Sequence, residues 1–170
     1  MMKGYNNMNL EKFNLAPLYL LDKEWALLTV GNKEKFNTMT ISWGGLGTLW
    51  HKPVVTIYLR PNRYTYEFME NNEYFTMSFY DEDYKKDLIT LGTKSGRDTD
   101  KIALTKLTPE FLEEGITFKE AKLTIICKKI YYQDLDINNI PTDEINKFYK
   151  NEPVHRMFIG EVIDIIDKRM

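Results

Sequence analysis

The chain has 170 residues, a formal net charge of −2, 14% aromatic residues and one cysteine. This is the length of one domain, able to bury roughly 70% of its unfolded surface without disulfides, and its near-neutral charge excludes a polycation built for nucleic acid. No stretch approaches the ~20 apolar residues of a membrane helix, residues 1–7 lack the apolar run of a secretory signal, and the lone Cys127 fits a reducing compartment, so a cytoplasmic protein is expected.

Residues 1–10 are expected to form a flexible N-terminal segment. Residues 25–30 are an apolar run, Gly31-Asn32 signals a turn, and residues 36–43 resume with strand-like spacing; together they predict a hairpin. Residues 54–59 are β-branched and bounded by Pro53 and Pro61, which predicts a strand with hard stops. In residues 74–80, Phe75, Met77 and Phe79 alternate with Thr76 and Ser78, the period of another strand.

Helical signals lie between and after these strands. Thr65 is placed to cap a short helix over residues 66–70, and Asp83 one over residues 84–91, with Gly92 as a left-handed stop. Thr108-Pro109 reads as a cap followed by proline at the first helical position, with Gly115 ending that helix. Strands return over residues 123–132 and 157–166, separated by a short helix over residues 142–149 on an exposed excursion. Without regular strand–helix alternation, a parallel doubly wound sheet is excluded, and a single mainly β domain, a compact barrel with inserted helices, is expected.

Several chemistries lack their signatures. Gly44-Gly45-Leu46-Gly47 fails as a dinucleotide fingerprint because Trp50 stands where the third glycine belongs; it is expected to be a tight turn. No phosphate-binding Walker loop occurs. His51, His155 and Cys127 lack metal-ligand spacing, so no metal site is expected. Cys127, on the apolar stretch Thr124-Ile125-Ile126-Cys127, reads as a buried structural thiol.

Three polar segments remain. Residues 37–43 alternate, with Asn37, Met39, Ile41 and Trp43 on one face and Thr38, Thr40 and Ser42 on the other. A row of hydroxyls suits a polar ligand, and equally suits a strand with one wet face. Arg60 and Arg63 flank a Pro-Asn turn leading into Thr65, where arginine forks and free helix N–H groups favour an anion. Residues 93–101 form a donor-rich loop whose plainer account is a solvated surface.

Taken in order, these segments resemble the flavin reductase-like family. The resemblance is carried by Asn37-Thr38-Met39-Thr40-Ile41-Ser42-Trp43, by Arg60-Pro61-Asn62-Arg63-Tyr64-Thr65-Tyr66-Glu67-Phe68, by Ser95-Gly96-Arg97-Asp98-Thr99-Asp100-Lys101 and by His155-Arg156-Met157-Phe158-Ile159-Gly160-Glu161-Val162. It implies an FMN-binding split β-barrel of Greek-key type spanning the chain. Asn37, Thr38, Met39 and Thr40 would lie along the flavin, partly through backbone N–H groups, while Ser42 and Trp43 close the pocket. Arg60, Arg63 and Thr65 would hold the phosphate or ribityl end beside Tyr64. Ser95, Gly96, Arg97 and Lys101 would reach in from the loop, with His155 near the ring or the nicotinamide.

The resemblance further implies a homodimer with FMN near the interface, and an NAD(P)H-dependent flavin reductase passing hydride to flavin N5, with NADH or NADPH bound transiently. Two other readings stay open: a flavoredoxin-like FMN electron carrier served by a redox partner protein, and a binding barrel without flavin.

Overall fold

The computed structural model describes residues 15–169; the segment expected over residues 1–10 lies outside the described residues. A short helix, α1 (Pro17–Tyr19), continues as a wider π-type turn over Leu20–Glu24 and buries Leu20 and Leu21. The apolar run beyond it forms β1 (Ala26–Gly31), which turns back into β2 (Phe36–Ile41) in antiparallel register. Gly31 has a φ of +131°, and a side chain there would collide with the Lys35 carbonyl and Phe36, so this turn needs glycine.

The rest of the chain gives β3 (Gly44–Leu49), β4 (Lys52–Leu59), α2 (Tyr64–Asn71), β5 (Tyr74–Phe79) and α3 (Lys85–Thr93). These are followed by β6 (Pro109–Leu112), β7 (Gly115–Phe118) and β8 (Leu123–Asp134). Then come α4 (Thr142–Glu144), a π-type turn over Ile145–Tyr149, and β9 (Arg156–Asp167). Seven strands form one antiparallel sheet in the order β2-β1-β5-β8-β9-β4-β3, and β6 pairs with β7 as a separate hairpin.

The chain itself forces this sheet to curl. Laid flat, six strand spacings would hold β2 and β3 about 29 Å apart. Yet only Ser42 and Trp43 lie between the end of β2 and the start of β3, a link that spans at most about 11 Å. The two edges therefore meet at that corner. Among the described residues no ladder joins them, so the barrel is split rather than closed.

The enclosed face carries the main core: Leu28 and Val30 of β1, Val55 and Ile57 of β4, Phe75 and Met77 of β5, Ile125 and Cys127 of β8 and Phe158 of β9, with Phe68 and Met69 of α2 packed among them. The outer face of β1 is covered by a second cluster in which Leu27 meets Leu88 and Leu91 of α3 and Phe118 of β7. Burying each such leucine contributes about 1.5–3 kcal/mol. Strand β5 is consequently buried on both faces. Its outward hydroxyls are satisfied inside the protein: Thr76 donates to the Ile116 carbonyl, and Ser78 shares hydrogen bonds with Thr117 and Thr124.

The mainly β, split-barrel expectation stands, with five local corrections. Residues 109–118, expected as a helix, are the β6–β7 hairpin. Pro109 pairs with Phe118 at the open end of a two-stranded ribbon, Gly115 turns with φ +144°, and burial of Ile116 and Phe118 outweighs the cap signal. Gly44 to Gly47, expected as a turn, lie in β3, where Gly44 packs against the Thr56 carbonyl of β4. Pro53 does not stop β4 but pairs with Thr48, beyond the stretch of β4 that β9 covers. Gly92 lies inside α3 without a positive φ; a Cβ there would sit 3.1 Å from the Thr40 Cβ. Neither expected cap residue holds its place: α2 begins at Tyr64 after Arg63, not after Thr65, and α3 begins at Lys85 after Tyr84, not after Asp83.

Candidate functional site

Two cavities lie along the split, sharing Met39 and Arg63 as their common wall. The first is polar and narrow, about 100 Å³. The second is broader, about 250 Å³, and more aromatic. Met39, Thr40, Ile41, Ser42 and Trp43 all line the second. Side chains of consecutive strand residues point to opposite faces, so this cavity runs along the edge of β2 and meets its backbone.

The first cavity lies where three turns converge. The Arg63 N–H donates to the Arg60 carbonyl (3.0 Å), a tight turn that aims the start of α2 inward. The first N–H groups of a helix have no partner within it. Thr65, in that first turn and 1% exposed, accepts from Asn37 Nδ2 (2.7 Å), which ties β2 to α2. Gly96 abuts the Asn37 side chain so closely that any Cβ would strike its Oδ1. The loop carrying Ser95, Gly96 and Arg97 is held by Lys101, whose ammonium donates to the carbonyls of Leu91 (2.9 Å) and Lys94 (3.1 Å) at the end of α3. Burial, with a further push from Arg63, lowers the Lys101 pKa from 10.5 to about 8.

The cations differ in what occupies them. Arg97 stacks over the Tyr64 ring (4.9 Å to its centroid) and pairs with Glu67 at the rim. Arg60 donates to the Phe148 carbonyl (2.9 Å) and faces Glu152 (3.4 Å), while its buried Nε has no hydrogen-bond partner among the described residues. Arg63 lines both cavities and its guanidinium has no hydrogen-bond or ion-pair partner among the described residues. A chain of net charge −2 thus gathers Arg60, Arg63, Arg97 and Lys101 around one cleft, the local cluster an anion requires.

The second cavity has an aromatic wall. Trp43 meets the Phe148 ring edge-on (5.2 Å) and the His155 ring at a tilt (5.2 Å). The Tyr149 hydroxyl lies 2.8 Å from His155 Nδ1. Burial first, then the charges of Arg60 and Arg63, lower the His155 pKa from 6.5 to about 4, so the imidazole is neutral at physiological pH.

Asn37, Met39, Arg63, Tyr64, Thr65, Ser95, Gly96, Arg97 and Lys101 surround the first cavity. Met39, Thr40, Ser42, Trp43, Arg60, Arg63 and His155 surround the second. Thr38 lines neither: fully buried, it shares a hydrogen bond with Thr29 (2.9 Å) and donates to the Leu28 carbonyl. The expected row of hydroxyls is therefore not one surface: Thr38 is enclosed, while Thr40 and Ser42 are half-buried and line the second cavity. Thr40 turns its hydroxyl to the Leu88 carbonyl of α3.

Sequence reasoning missed Tyr58, the end of α3, and the Phe148–Glu152 stretch. The excursion is mostly exposed, as expected, but its half-buried Phe148 and Tyr149 pack against Trp43 and His155, which line the second cavity. Its aromatic pair Phe148-Tyr149, just ahead of His155, was the one available signal.

A family model described as Flavin reductase like domain matches residues 19–169. Among solved structures, the chain is similar to a flavoredoxin from Methanosarcina acetivorans, at 21% identity and a TM-score of 0.67, over 86% of this chain and 69% of that one. It is also similar to an FMN-binding protein from Thermus thermophilus with bound 1-cyclohex-2-enone (19%, 0.67, over 85% and 70%). A third similarity is to the Streptomyces globisporus NADH:FAD oxidoreductase SgcE6 in complex with NAD and FAD fragments (16%, 0.64, over 85% and 74%). No curated protein is significantly similar in sequence.

Proposed function

The chain belongs to the flavin reductase-like family, and we propose that its two joined cavities hold FMN and that it is an NAD(P)H-dependent oxidoreductase of the flavin reductase type. The observation that carries this reading is Arg63, a guanidinium without a carboxylate partner at the junction of a polar cavity and an aromatic one. A phosphorylated planar ring needs that pairing of environments, with its anion at one end and flat cover at the other. The partnerless Nε of Arg60 is a second donor waiting for an acceptor. The similar Thermus protein is described as FMN-binding, and the similar Streptomyces protein is described in complex with NAD and FAD fragments.

In this reading Arg63, the first turn of α2, Thr65 and the Ser95–Arg97 loop bind the phosphate, and Lys101 holds that loop in place. The edge of β2 from Met39 and the link that follows it to Trp43 offer backbone N–H groups to the ring, while Trp43 and Tyr58 exclude water. The neutral His155 supplies a hydrogen-bonding edge without adding charge. When bound, FMN would supply hydride transfer at N5 between a reduced nicotinamide and an acceptor. We also infer a homodimer with the split near its interface, because Trp43 and Trp50 stay 45% and 63% exposed beside the open edge of β3. A cytoplasmic site fits, in that no helix among the described residues is long and apolar enough to cross a membrane.

The deciding experiment is the absorption spectrum of the purified protein with added FMN, followed by anaerobic addition of NADH or NADPH. A bound-flavin spectrum that bleaches with the nicotinamide is expected. A bound flavin that bleaches only with a protein reductant would make this an electron carrier, and no bound flavin would overturn the reading.

A further inference from the structure

The geometry points to Tyr149 as a positioning residue that acts through His155: its hydroxyl donates to Nδ1, fixes the imidazole as the Nε2–H tautomer, and so directs an N–H donor at the ring occupying the second cavity. The inference rests on the flavin reading only for the identity of that ring.

The 2.8 Å contact between the Tyr149 hydroxyl and His155 Nδ1 could be donated from either side. A phenol O–H is a stronger donor than a neutral imidazole N–H, and the unprotonated imidazole nitrogen is a far better acceptor than a phenol oxygen. The favourable arrangement therefore leaves the proton of the imidazole on Nε2. That nitrogen has no hydrogen-bond partner among the described residues and is not among the enclosed unpaired atoms, and its residue lines the second cavity, so that cavity is where we infer it opens.

The ring cannot swing freely. Trp43 packs against it at 5.2 Å and the Tyr149 ring meets it edge-on at 5.6 Å. Tyr149 is itself delivered by the excursion that Arg60 grips through the Phe148 carbonyl and Glu152, and Asn62 grips through Glu152 (2.8 Å). The cations facing His155, Arg60 and Arg63, disfavour an imidazolium, so one tautomer has to be chosen, and Tyr149 is the group that chooses it. A flavin carries ring carbonyls that accept such an N–H. Through Tyr149 the mostly exposed excursion before β9 thereby supports a wall of the site from behind.

The chain contains two histidines, so long-range ¹H–¹⁵N correlations on the flavin-free, ¹⁵N-labelled protein at neutral pH resolve both, with H155Q assigning the signals. The wild type is expected to show His155 in the Nε2–H form, and Y149F to show a tautomer mixture. An Nδ1–H form in the wild type, or a pattern unchanged by Y149F, overturns the inference. By FMN titration, Y149F is expected to weaken binding about three- to tenfold, the value of one hydrogen bond. In the H155Q background, where the glutamine amide has no tautomer to set, the same change should cost less than about twofold. Equal losses in both backgrounds would make Tyr149 a packing residue only. If the wild type binds no flavin, the functional reading fails while the tautomer measurement still judges Tyr149.

Discussion

Replacing Arg63 with alanine isolates the anion-binding role because the side chain does so little else. It is exposed, without an ion-pair or hydrogen-bond partner among the described residues, and it lines both cavities. A hydrogen bond to a charged group contributes about 1.5–3 kcal/mol, which at 1.4 kcal/mol per decade predicts FMN binding weakened about 12- to 150-fold. An exposed, unpartnered side chain costs the fold no more than about 0.5 kcal/mol, a melting shift of about 2 °C or less at this chain length. Quenching of FMN fluorescence on titration gives the first number and a thermal melt of the flavin-free protein the second. Arg60→Ala is the contrast: Arg60 also holds the Phe148 carbonyl and Glu152, so it should lose melting temperature together with affinity. Arg63 also depresses the pKa values of Lys101 and His155, so both should rise when it is removed. If Arg63→Ala binds FMN within twofold of the wild type, the phosphate does not lie at the junction of the cavities.

The pH dependence follows from Lys101, with opposite signs for folding and binding. Its folded pKa of about 8 lies below the ordinary 10.5, so across that interval the unfolded chain holds the proton more tightly and the lysine's contribution to stability rises with pH. Affinity for an anion moves the other way as the proton leaves: FMN titrations from about pH 7 to 9 should show binding weakening above about 8, and Lys101→Met should remove that dependence. Gly96→Ala should weaken FMN binding by about tenfold, because an overpacked contact costs about 1–3 kcal/mol and the new Cβ drives into Asn37, the tie to Thr65; unchanged affinity would show that the loop moves without touching the site.

The strands were legible where composition and period agreed. The apolar run over residues 25–30 and the strand-like spacing over 36–43 and 74–80 became, within one or two residues at their ends, β1, β2 and β5. The Thr108-Pro109 signal misled because a proline after threonine opens a strand as readily as a helix, and a glycine closes a hairpin as readily as a helix. What decides is the burial of Ile116 and Phe118 beneath other elements, which no local pattern contains. The polar walls of the site were legible as residue types, since arginines flanking a turn and a donor-rich loop keep their meaning wherever they sit. The aromatic wall was not. Phe148 reaches Trp43 and Glu152 reaches Asn62 only once the excursion has folded back across a separation of 90 residues for the latter pair.

Thr38 and Thr40 show where alternation stops informing. Their parity was read correctly, and they do share a side, but that side packs onto β1 and α3. The ligand side was sought on a face of the strand, whereas the second cavity lies along its edge. An unpaired edge is ordinarily a liability, a row of open N–H and C=O groups that invites another strand. Here the two-residue link at Ser42-Trp43 brings both edges of the sheet to one corner, and among the described residues no ladder joins them there. The backbone groups left open on β2 are then sheltered by α2, by the loop after α3 and by the excursion before β9. A planar molecule with polar ring atoms is the natural occupant of such a slot, because it can satisfy a strand edge without extending the sheet. On this argument the split in the barrel and the candidate binding site are one feature, held at the corner where a short link keeps the unpaired edges of β2 and β3 together.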